Sequence, residues 1–80
     1  MIRPADPLPL ELLQRNERAV IVEVDGPPEE VHRLDEMGLR PGVIFRLVSP
    51  GSPCVLALEE TRFSFRPSDA TTVLVRPLGN

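Results

Sequence analysis

Eighty residues carrying twelve acidic groups, nine arginines and no lysine make one small domain with a net charge of −3. A chain this short buries only about 60–65% of its unfolded surface, so its core is thin. The acidic balance weighs against binding dominated by phosphate contacts, the lone Cys54 excludes an internal disulfide and a cysteine-based zinc cluster, and no apolar run approaches the ~20 residues of a membrane span.

Met1 to Pro9 holds Pro4, Pro7 and Pro9 and reads as a flexible, extended arm, with the folded domain expected over 10–80. The arm contains no apolar leader segment, so a cytoplasmic protein is expected. Leu10 to Leu13 fits one helical turn, ending near Asn16, a residue that tolerates positive φ. Arg18 to Val24 alternates as a first strand, with Val20, Val22 and Val24 on the face assigned to the core and Ala19, Ile21 and Glu23 on the other. Asp25-Gly26-Pro27 stops it.

A helix is expected from Pro28 to Met37. Proline suits its first turn, and Glu29 and Glu30 complement the positive end of the dipole. Val31, Leu34 and Met37 recur at helical spacing as one buried stripe. Gly38 fits the left-handed position that ends a helix, and Pro41-Gly42 fits the centre of a type II turn. Strands follow at Val43–Ser49, Cys54–Leu58, Arg62–Phe65 and Thr71–Arg76, with Phe63 and Phe65 expected to point inward and a helical or 3₁₀ turn at Pro67 to Ala70. Five short strands and one helix between the first two predict a mainly-β small barrel, because full or partial closure protects strand edges.

The ordered set Arg33-Leu34-Asp35-Glu36-Met37-Gly38-Leu39, then Pro41-Gly42-Val43, then Phe65-Arg66 followed by Ala70-Thr71-Thr72-Val73-Leu74-Val75, resembles the FeoA family of bacterial ferrous-iron uptake. The resemblance runs from about Leu8 to Leu78 and implies an SH3-like barrel. It departs from the family at Asn16, where glycine is usual, at the shorter loop Pro50-Gly51-Ser52-Pro53, and at the Glu59-Glu60 hairpin tip, which lacks the customary glycine.

What the resemblance implies is a non-enzymatic accessory protein. Its expected partner is the cytosolic GTP-binding part of the membrane ferrous-iron transporter. The same barrel resembles the C-terminal domain of iron-dependent repressors, so a metal-sensing regulatory domain is the alternative. The helix end and the following loop, Met37, Leu39 and Arg40, are the expected docking residues, since they put bulky apolar groups and a charge on a rigid turn. Ile21, Ile44, Val48, Val55 and Leu74 are left over once one face of each strand is assigned to the core; most are expected to lie beneath the helix or the N-terminal arm, and those a barrel of this size leaves uncovered would form an apolar patch with room for weak self-association. The arginines are scattered along the chain and read as a solvated surface; with no exposed aromatic run, no nucleic-acid partner is expected, and no direct membrane insertion.

Two other chemistries are open to these residues. His32 and Glu36, four apart on the helix and flanked by Asp35, are candidate ligands for a divalent cation, with Cys54 as a soft third donor. A metal site generally needs three or four converging ligands. The preferred reading is therefore a solvated helix face and a small buried cysteine, with no cofactor and only weak divalent-metal binding. One histidine and one cysteine without a flanking signature supply no nucleophile, base and orienting group, and Gly38 and Gly42 lack the lysine and hydroxyl of a phosphate loop.

Overall fold

A computed structural model describes residues 6–66 and 70–79, Phe63 by its backbone alone. In chain order the elements are β1 (Leu8–Pro9), a 3₁₀ turn (Leu10–Leu12), β2 (Arg18–Asp25), α1 (Pro28–Glu36), β3 (Ile44–Ser49), β4 (Cys54–Leu58), β5 (Thr61–Phe65) and β6 (Thr72–Pro77). They form one antiparallel sheet in the order β1-β6-β2-β3-β4-β5. The mainly-β, one-helix SH3-like fold is as expected. The sheet is not closed: β1 and β5 lie at its two ends and do not pair.

Leu8 and Pro9, read from sequence as arm, pair with Val75 and Leu74 of β6. Proline is tolerated there because an edge strand can leave its missing N–H unneeded. The remainder of the arm through Ala5, most of the Pro67–Ala70 turn and the Phe63 side chain lie outside the described residues.

The core face of β2 is not the valine face. Ala19 and Ile21 are fully buried, whereas Val20 and Val22 are only partly covered. A register shift between Ile21 and Glu23 against β6 then changes the inward face along the strand. An extra residue in one strand swaps the faces beyond it, so the inward set runs Ala19, Ile21, then Val24. Ile21, expected to be left over, is therefore core.

One cluster holds the molecule together. Leu10 and Leu13, Leu34 of α1, Leu39, and residues from β2 to β6 including Phe45, Leu56, Phe65, Val73 and Val75 are all buried in it. Burying a Leu or Phe side chain is worth about 1.5–3 kcal/mol, and these carry the stability of a thin core. Met37, placed by the helical period on the buried stripe, is instead 40% exposed, because α1 ends at Glu36 and the chain turns there.

Candidate docking surface

The segment from Met37 to Val43 is shaped by backbone bonds. Gly38, with φ 102°, donates to the Asp35 carbonyl at 3.0 Å, and Leu39 donates to the Leu34 carbonyl at 2.8 Å. That pair of bonds is a Schellman stop, with Leu39 and Leu34 as its accompanying apolar contact in the core. Val43 N–H then donates to the Arg40 carbonyl at 3.2 Å across Pro41 and Gly42 (φ 94°), as a type II turn requires. Gly42 N–H donates to Ile21 O at 2.8 Å and Ile21 N–H to Val43 O at 2.9 Å, so the corner is stitched to β2.

This geometry divides the three expected docking residues. Leu39 is 1% exposed and belongs to the core; it cannot meet a partner in this conformation. The Schellman bond that ends the helix also turns Leu39 inward, so the bulky residue on the corner serves packing. Met37 and Arg40 are exposed.

Both border a broad groove that also takes in Ile44, Arg18 and Arg46, with Glu59 and Glu60 of the β4–β5 hairpin on its far side. Antiparallel pairing sets Arg18 directly opposite Arg46 and Val20 opposite Ile44, on the face away from Ala19 and Phe45. Ile44 is 48% exposed. The face therefore has an apolar middle and arginines around it. Like charges directly opposite in a sheet are unfavourable, and Arg46 is steadied by donating to Asn16 Oδ1 at 3.2 Å. Arg18 and Arg40 have no such partner among the described residues.

Sequence reading missed this convergence. Positions 18, 40 and 46 look scattered, and only the β2–β3 register gathers them. The usable signal was that Arg18 opens the alternating run of β2 and Arg46 interrupts the apolar run of β3.

The candidate metal ligands do not converge. His32 Nε2 lies 3.6 Å from Glu36 Oε2, with both side chains largely exposed. Cys54 is buried, its thiol donating to the Phe65 carbonyl at 3.3 Å. No three His, Cys, Asp or Glu groups come together among the described residues. Val48, Val55 and Leu74 are partly covered rather than displayed.

Residues 8–77 match the FeoA domain family. The chain belongs to the FeoA family. Among solved structures, this FeoA domain resembles the crystal structure of the iron uptake regulatory protein FeoA, with a TM-score of 0.81 at 24% identity, covering 91% of this chain and 100% of that one. At that identity the likeness carries the fold. No curated protein matches the chain by sequence. Family membership supports an accessory role in ferrous-iron transport, in a small accessory domain that is not a known enzyme family. Among the described residues no helix is long and apolar enough to cross a membrane. Asn16 has φ 72°, a left-handed conformation that asparagine tolerates.

Proposed function

We propose that this FeoA domain is a non-enzymatic accessory protein that binds the cytosolic GTP-binding part of the membrane ferrous-iron transporter. The observation that carries the reading is the face formed by Met37 and Ile44 with Arg18, Arg40 and Arg46 around them. An apolar centre supplies affinity, and arginine is among the residues that dominate interface energetics. Three arginines against Glu59 and Glu60 leave this groove a small positive excess on a chain of net charge −3, which favours a partner surface that carries acidic groups. Such a module changes a transporter's behaviour by binding one of its conformations more tightly than another. The metal-sensing alternative has no side-chain cluster to carry it among the described residues.

Calorimetry with the isolated GTP-binding domain tests the proposal. Arg40→Glu and Ile44→Asp should each weaken binding about tenfold or more, the equivalent of about 1.4 kcal/mol, while Thr72→Lys on β6 leaves it unchanged. Wild-type affinity in both folded variants would rule this face out.

A further inference from the structure

A second groove, of about 440 Å³, lies between α1 and the end of β5. Its helix wall is Arg33, Leu34 and Met37, and its sheet wall is Ser64, Phe65 and Arg66. Leu34 and Phe65 form an apolar floor, being core residues with 5% and 8% of their surface exposed. Three independent features of this groove point to one kind of occupant.

The first is the sheet edge. β5 is the terminal strand, paired with β4 from Cys54↔Phe65 to Leu58↔Thr61, and among the described residues no strand pairs with its outer side. Hydrogen-bonded and non-bonded pairs alternate along an antiparallel ladder, so every second residue of β5 turns its N–H and C=O to that open side. The second is charge. Arg33 and Arg66 face the groove from opposite walls, and neither has a hydrogen-bond or ion-pair partner among the described residues. Glu30, the one acid among the described lining residues, is held aside, its Oε2 accepting from Thr71 Oγ1 at 2.7 Å. The third is the apolar floor between them, which takes a side chain and not a bare anion.

We propose that the groove between α1 and the free edge of β5 binds an extended segment of a protein partner in which acidic and apolar residues alternate. The segment adds to the sheet beside β5, its main chain bonding to the open edge. Its apolar side chains settle on Leu34 and Phe65, and its carboxylates meet Arg33 and Arg66. Strand addition of this kind draws affinity from main-chain bonds and specificity from side chains at alternate positions. The overall negative charge of the chain does not forbid it, because charges beyond the Debye length of about 8 Å are screened at physiological salt. The inference stands apart from the docking face around Arg40, with which the groove shares only Met37 among the described lining residues, and it does not require the transporter to be the source of the segment.

The test is fluorescence anisotropy with a short labelled peptide alternating leucine with glutamate, added to the full chain. Binding should weaken about tenfold in Arg33→Glu/Arg66→Glu, be unchanged in Arg40→Glu, and fall steeply as salt is raised. A peptide with lysine in place of glutamate should not bind. Methylating alternate backbone nitrogens of the glutamate peptide should abolish binding, because it removes the edge bonds while keeping the side chains. Both arginines lie on the surface, and circular dichroism of the double variant verifies its fold. Equal binding of the lysine peptide, indifference to the double substitution, or no binding at all would each overturn the assignment. A concentration-dependent dimer of the wild-type chain that is lost in Arg33→Glu/Arg66→Glu would also overturn it, by giving the groove to a second copy. Loss of transporter binding in Arg40→Glu with peptide binding intact separates this proposal from the docking face.

Discussion

Leu39 and Arg40 are neighbours in sequence and opposite in fate. A Schellman stop turns the first into the core and the type II turn that follows presents the second to solvent. Composition alone treats both as loop residues beside a glycine. Cys54 shows the same dependence on surroundings. Burial pushes its thiol above the ordinary value of 9.0; its own backbone hydrogen bond pulls the other way, and the nearby Glu11 charge adds to the rise. A group that titrates higher in the folded state than in the unfolded one stabilises below the unfolded value, and that contribution is lost as pH rises from there through the folded value. Urea unfolding followed from about pH 8 to pH 10 should therefore show stability declining from near pH 9 upward. Cys54→Ala, less stable throughout, should lack this part of the slope. A wild-type slope equal to the variant's would show that the thiol is not the group responsible.

At the level of elements, local signals were legible wherever one residue's backbone preference governs. The Pro28 start of α1, its stop at Gly38, the Pro41-Gly42 turn and the positive φ of Asn16 all follow from such preferences. The inward face of β2 was not legible, because a bulge depends on the partner strand and leaves the alternation of Val20, Val22 and Val24 intact on paper. Gly26 is a related case. Its backbone conformation is ordinary, but a Cβ there would come within 2.8 Å of Thr71 Oγ1, 2.9 Å of the Ala70 carbonyl and 3.1 Å of Thr71 Cα. The corner between β2 and α1 is thus pressed against the residue whose hydroxyl holds Glu30 in the first turn of α1. Gly26→Ala must displace backbone and should cost about 1–3 kcal/mol in urea unfolding, the range for overpacking. An unchanged midpoint would mean that the corner yields freely.

For the whole molecule, one core joins the N-terminal turn, the helix and every strand from β2 to β6. No part of it is thick enough to stand alone, so unfolding should be a single transition. Leu10 is the sharpest test, since it is 2% exposed yet lies just after a stretch read as flexible arm. Leu10→Ala should lower stability by about 2–5 kcal/mol and shift the far-ultraviolet and fluorescence-probe transitions together. A separate early transition confined to the N-terminal turn would show that it is docked rather than integral.

From the amino-acid order alone follow the helix and the five strands after the N-terminal turn, the helix stop, the corner turn and the family, because each rests on short-range steric rules and on spacing within one segment. Tertiary structure decided which side of those elements faces water. The burial of Leu39, the inward turn of Ile21, the gathering of Arg18, Arg40 and Arg46, and the open edge of β5 beside Arg33 and Arg66 all depend on how distant strands pair. A one-residue shift in that pairing exchanges core for surface at every later position, and no local preference encodes it.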